Sequence, residues 1–143
     1  AKIVNGHNPI VAHEYLGNSV EDKDVFIADD IISSGESMLD IAYALKERKA
    51  RRVFCYATYG LFVNGLEKFD KAYEDGYIDA VFGTNLTYRT AALLSRPWFH
   101  EVDCTKYLSY YIAALNHDVS IGKVIDPNAK VKALLERRNK ENA

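Results

Sequence analysis

Residues 25–39 read Val25-Phe26-Ile27-Ala28-Asp29-Asp30-Ile31-Ile32-Ser33-Ser34-Gly35-Glu36-Ser37-Met38-Leu39. Four apolar residues running into two acids read as a buried strand that ends at a polar turn. Beyond the turn, Met38, Ile41, Ala42 and Leu45 recur at helical spacing, and Lys46-Glu47-Arg48-Lys49 closes that helix with mostly basic residues. Strand, tight turn and amphipathic helix in that order form the repeating unit of an α/β sheet protein.

The unit recurs downstream. Val53 to Thr58 is a second apolar run, and Asn64 with Glu67 three residues on is an N-terminal capping signal for a helix ending at Gly76, with Leu66, Phe69 and Tyr73 inward. Ile78 to Phe82 and Phe99 to Val102 are further strands, and Asp103 can cap a helix bearing Tyr107, Leu108, Tyr111, Ile112 and Leu115. Asp126-Pro127 opens a last helix through Val131, Leu134 and Leu135, followed by a polar, frayed tail from Glu136 to Ala143. Upstream, Ile10-Val11 reads as a short strand. The alternation predicts an α/β fold, a mainly parallel sheet flanked by helices on both faces. At 143 residues, one domain over 1–143 is expected.

Composition narrows the function. The chain is 48% hydrophobic and 27% charged, which excludes a disordered or collagen-like protein. Its formal net charge of -2 offers no bulk positive field for nucleic acid or an anionic membrane, so neither is an expected partner. No apolar run approaches a membrane span, and the start carries no export signal; a cytoplasmic protein is expected. Cys55 and Cys104 lack zinc or disulfide spacing and read as reduced thiols. His7, His13, His100 and His117 show no metal spacing.

In an open parallel sheet, ligands bind beyond the carboxyl ends of the strands. The loop after Ala28 is the richest there. Free N–H groups at a helix start make an anion site, to which Ser33, Ser34 and Ser37 add hydroxyl donors, and Gly35 lets the turn close. Asp29 and Asp30 can accept hydrogen bonds from a diol, so a sugar phosphate fits the loop. Adjacent strand residues point to opposite faces, so the two acids are expected to play different roles. Their mutual repulsion would be relieved by a divalent cation or a raised pKa. From spacing alone, a plain strand-end turn capping the next helix fits equally well. Neither G-x-G-x-x-G nor a Gly-Lys P-loop occurs.

The run from Val25 to Leu39 resembles the phosphoribosyl-pyrophosphate (PRPP) binding motif of type I phosphoribosyltransferases and of PRPP synthetases, the ribose-phosphate pyrophosphokinases. Ala42 to Thr58, Asn64 to Lys68, Gly83-Thr84-Asn85 and Asn116-His117-Asp118 with Ser120 are similar to the carboxyl-terminal domain of PRPP synthetase, a similarity reaching about Ile125. The resemblance implies a phosphoribosyltransferase-like fold. It also implies a reaction in which the β,γ-diphosphoryl group of Mg-ATP passes to the C1 hydroxyl of ribose 5-phosphate, giving PRPP and AMP for nucleotide biosynthesis. Ribose 5-phosphate, ATP and PRPP would be the partners and Mg2+ the cofactor. By the same resemblance Asp29 would hold ribose hydroxyls, and Ser33, Ser34, Gly35, Glu36 and Ser37 would grip the 5-phosphate. Asp30 would support the ribose or a hydrated magnesium.

This chain departs from that motif at Ser33, where Asp is usual, at Glu36, where Gly is usual, and at Ser34 and Ser37, which replace Thr. The Glu36 carboxylate opposes a phosphate, so its side chain is expected to point outward. PRPP synthetases carry two domains in tandem, and the catalytic Lys/Arg loop has no counterpart here. The expectation is therefore a carboxyl-terminal domain of a longer enzyme, inactive alone. A phosphoribosyltransferase is one alternative, though no base-recognising insertion is present; a non-catalytic regulatory or assembly module is the other. Thr58 to Phe62 reads as pocket lining, an effector or subunit contact, or a plain crossover loop. Ten tyrosines, three of them at Tyr107, Tyr110 and Tyr111, suggest a homo-oligomer.

Overall fold

The computed structural model describes residues 17–122 and 126–141. The strand expected at Ile10-Val11, together with His7 and His13, lies outside them. The chain divides into two compact units, Ala1–Val102 and Asp103–Ala143.

The first unit holds four strands, β1 (Asp24–Ile32), β2 (Arg52–Gly60), β3 (Ala80–Thr84) and β4 (Phe99–Val102), and three helices, α1 (Glu36–Glu47), α2 (Glu67–Glu74) and α3 (Ala91–Leu94). All neighbouring strands are parallel, in the order β1-β2-β3-β4. The α/β class and parallel sheet are as the sequence implies. Register places Val25 beside Val53, Ile27 beside Cys55, and Cys55 beside Val81. These residues join Met38, Leu39, Ala42 and Leu45 of α1 and Phe69 and Ala72 of α2 in one core. Within this unit α1 and α2 thus share one face of the sheet. The other face is aromatic: Phe26 lies 6.2 Å from Tyr56 and 6.3 Å from Phe82, and Phe82 lies 5.3 Å from His100.

Several boundaries differ from the sequence reading. β1 continues four residues past Ala28, because the ladder to β2 persists: Asp29 pairs with Ala57, Ile31 with Tyr59 and Ile32 with Gly60. The acids therefore lie within the strand, not after it. The cap position of α2 is Leu66, not Asn64, and no side chain caps it; the chain turns first at Gly65, whose φ is +83°. Phe69 and Ala72 form the buried side of α2, while Tyr73 sits at the rim. Gly76 does end the helix: at φ +75° it lets Tyr77 N–H reach Ala72 O and its own N–H reach Tyr73 O. The short α3, which the sequence reading lacks, is capped by Thr90, whose hydroxyl accepts from Leu93 N–H at 3.1 Å.

The second unit contains α4 (Thr105–Asn116) and α5 (Asn128–Glu141). Asp103 accepts from Thr105 N–H and Asp126 from Asn128 N–H, both at 2.9 Å, although the cap position of α4 is Cys104, one residue after the expected Asp103. The Lys130 ammonium stands 4.8 Å from the Tyr107 ring centre. No residue described in either helix is buried, so the apolar stripe of Tyr107, Leu108, Ile112 and Leu115 is exposed. α5 is helical to Glu141, where the sequence suggests a frayed tail.

Candidate functional site

β1 carries Asp29 to the carboxyl edge of the sheet, and the chain then turns through Ser33, Ser34 and Gly35 into α1. The strand's burial alternation lapses there: Asp29, Asp30 and Ile31 are all exposed, and Ile32 returns to the core. Around the turn lies a cleft of about 100 Å³ lined by Asp29, Ser33, Ser34, Gly35, Ser37 and Met38, among others. Five of the seven residues expected at the site therefore share one concavity. The other two, Asp30 and Glu36, do not line it.

Asp30 stays coupled to the cleft through its backbone, its N–H donating to Asp29 Oδ1 at 2.8 Å. That bond orients the Asp29 carboxylate and leaves its remaining lone pairs to accept from other groups. The two acids thus differ in placement, as alternation along a strand requires.

The turn presents backbone donors. The first bond of the α1 ladder runs from Leu39 N–H to Gly35 O at 3.0 Å, so the amides of Glu36, Ser37 and Met38 precede it. Glu36 N–H reaches Ser34 Oγ only at 3.4 Å, a long contact. Gly35 is the helix cap, at φ +82°. Together, first-turn amides, the helix dipole and three hydroxyls are what an anion needs.

Glu36 turns away, as its charge demands. Its carboxylate meets Lys68 Nζ at 2.5 Å, and the two border a separate cleft with Leu39, Asp40 and Tyr43. The Lys68 hydrogen bond and charge hold the Glu36 carboxyl below its usual range. Sequence reasoning did not find Lys68 as Glu36's partner, because the two are 32 positions apart and belong to different helices. The only sequence signal was a basic residue early in the next helix.

Thr58 O accepts from the buried Thr84 hydroxyl at 2.6 Å, tying β2 to β3. Gly60, Leu61 and Phe62 line a cleft of about 280 Å³ with Tyr88, Leu93 and Arg96. Asn116, His117 and Asp118 close α4 in the second unit. Burial pushes the Cys55 thiol up to about 12. Among the described residues, no three His, Cys, Asp or Glu side chains gather as a metal cage, and no helix is long and apolar enough to cross a membrane.

A parallel α/β sheet in which β1 carries two acids near its carboxyl end and passes through a serine–glycine turn into a helix N-terminus has the architecture of a phosphoribosyltransferase-type protein. The family model described as phosphoribosyl transferase domain matches residues 3–88, and the chain belongs to that family. It is similar to the ribose-phosphate pyrophosphokinase of Mycoplasma pneumoniae, with 37% identity over 120 residues, covering 82% of this chain and 36% of the relative. With the enzyme of the same name from Vibrio cholerae it shares 29% identity over 111 residues, 78% of this chain and 34% of the relative. The crystal structure of phosphoribosylpyrophosphate synthetase from Mycobacterium smegmatis matches with a TM-score of 0.61 at 24% identity, over 71% of this chain and 33% of that one; this likeness establishes the fold. The chain spans about a third of the length of these curated relatives.

Proposed function

We propose that this chain binds ribose 5-phosphate and PRPP as part of a ribose-phosphate diphosphokinase. The observation that carries the reading is the sharing of one cleft by Asp29 and the Ser33–Ser37 turn. A phosphate held on the first-turn amides and the hydroxyls of Ser33, Ser34 and Ser37 would leave the sugar extending toward Asp29, whose carboxylate accepts from its hydroxyls. In the transfer, the C1 oxygen bonds to Pβ of ATP, the bond from Pβ to the oxygen bridging Pα breaks, AMP leaves, and the C1 hydroxyl gives up its proton. The part these residues play is to fix the acceptor sugar in position.

The names of the relatives support this chemistry, as does the match of the motif to its family. Magnesium fits the acids present, because it keeps several waters and takes one or two carboxylates together with substrate phosphates. The exposed Asp30, next to Asp29, is the residue that would hold it; when bound, the ion would offset the charge of the diphosphate. The exposed tyrosines and aliphatic residues of α4 support a homo-oligomer.

Calorimetric titration with ribose 5-phosphate tests the reading. Saturable binding, stronger than that of ribose or inorganic phosphate alone, is the expected result, and the absence of binding removes it. AMP formation from Mg-ATP that depends on ribose 5-phosphate tests the reaction; binding without AMP formation would instead mark a non-catalytic module.

A further inference from the structure

The Glu36 carboxylate hangs from the same backbone turn that carries the candidate phosphate amides, one residue after the Gly35 cap. Helix N-termini favour any anion, including a side chain of their own. An untethered Glu36 would therefore compete for the Glu36, Ser37 and Met38 amides and repel an incoming phosphate. In the structure its carboxylate pairs instead with Lys68 Nζ, at 2.5 Å, beside the cleft that both border with Asp40 and Tyr43. The neighbouring residue of α2, Phe69, lies beneath Gly35, so two successive α2 residues brace the turn. One supports its backbone and the other holds its carboxylate aside.

We propose that Lys68 is a positioning residue, whose ion pair with Glu36 keeps the α1 amides available to a phosphate monoester. The inference rests on the sugar-phosphate reading of the cleft and adds a residue to it. Both partners are more than half exposed, with side-chain accessibilities of 54% and 57%, so the pair contributes little to folding stability. Its consequence lies in where it holds a negative charge relative to the cleft.

The experiment compares the wild-type chain with Lys68→Met, Lys68→Arg, Glu36→Gln and the Lys68→Met/Glu36→Gln double variant. Each is titrated with ribose 5-phosphate and with inorganic phosphate, and thermal melting confirms that each is folded. Lys68→Met is expected to weaken both ligands about three- to tenfold, the effect of one released carboxylate near a phosphate. Lys68→Arg should retain wild-type affinity. Glu36→Gln should bind at least as well as wild type, and adding Lys68→Met to it should cost nothing further. A purely structural role would not be rescued by Glu36→Gln. Wild-type affinity in Lys68→Met overturns the inference while leaving the sugar-phosphate reading intact. A loss that persists in the double variant also overturns it, since Lys68 would then act on the phosphate directly. Failure of the wild type to bind either ligand removes the sugar-phosphate reading and this inference with it.

Discussion

The ring of Phe69 fills the space into which a side chain on residue 35 would project: a Cβ on Gly35 would stand 2.2 Å from Phe69 Cε2 and 2.5 Å from Cζ. Gly35 also sits at φ +82°, where an L-residue is strained. The left-handed conformation costs about 1–2 kcal/mol and forced overpacking about 1–3 kcal/mol more. Gly35→Ala is therefore expected to lower unfolding stability by about 2–5 kcal/mol, read from urea midpoints. Phe69 stacks on Trp98 at 5.5 Å, and Trp98 is the only tryptophan, so a change in the emission of the folded variant would report the shifted ring.

Asp29 lines the cleft and Asp30 does not, so the two carboxylates should separate in binding assays. A hydrogen bond to a charged group contributes about 1.5–3 kcal/mol, which corresponds to a loss of roughly ten- to a hundredfold in ribose 5-phosphate affinity for Asp29→Asn. The amide oxygen of Asn can still accept from Asp30 N–H, so the fold should be kept. Asp30→Asn should change magnesium-free binding little. Equal losses in the two variants, measured calorimetrically, would contradict this placement.

The parts legible in the sequence were those written in local pattern. Val53 to Thr58 has an apolar run long enough to declare a central strand, and Phe99–Val102 was placed to the residue. The serine turn was legible because its backbone donors follow from where a helix begins. Less legible were the ends of elements fixed by a neighbour: β1 runs through its acids because β2 supplies ladder partners as far as Gly60, a fact absent from residues 25–39. The start of α2 depended on a positive φ at Gly65, which overrode a good capping pair. Glu36 could be read as awkward, but its remedy, Lys68, lies on another helix and came only with the packing.

At the start of β1, Asp24 sits between two guanidinium groups, receiving bonds from Arg51 at 2.9 and 2.8 Å and from Arg52 at 3.0 and 2.5 Å. Arg52 and then Arg51 hold its carboxyl well below the ordinary value of 3.8. Because the folded state releases this proton more readily than the unfolded state, the group's contribution is present above pH 3.8 and is lost as pH falls toward the depressed folded value. Asp24→Asn should therefore lower the urea midpoint at pH 7, and the gap to wild type should narrow below pH 3.8. A gap that stays constant with pH would show that the carboxylate's charge is not what matters.

Cys55 is fully buried in β2, with its thiol pushed up to about 12, whereas Cys104 is partly accessible. Thiolate is the reactive form, so a disulfide reagent at neutral pH should label no more than one thiol in the native chain, at Cys104. Both should react in denaturant. Rapid native labelling of Cys55, identified by peptide mass, would mean that the β2 core opens far more readily than its packing implies.

Asp70 joins α2 to the segment that leads into β4. It accepts from Trp98 Nε1 at 2.7 Å through Oδ1, and from Arg96 Nε at 2.9 Å to Oδ1 and 3.1 Å to Oδ2. Trp98 is 1% exposed, so removing its acceptor leaves an indole N–H buried without a partner, at a cost of about 1–3 kcal/mol. Asp70→Ala should destabilise by that amount, while Asp70→Asn, which keeps an acceptor for the indole, should lose less. Arg96→Met separates the two bonds: only about 0–1 kcal/mol is expected from this partly exposed pair. If Arg96→Met instead matched Asp70→Ala in urea unfolding, the ion pair, and not the indole bond, would be what fixes α2 to the β4 entry.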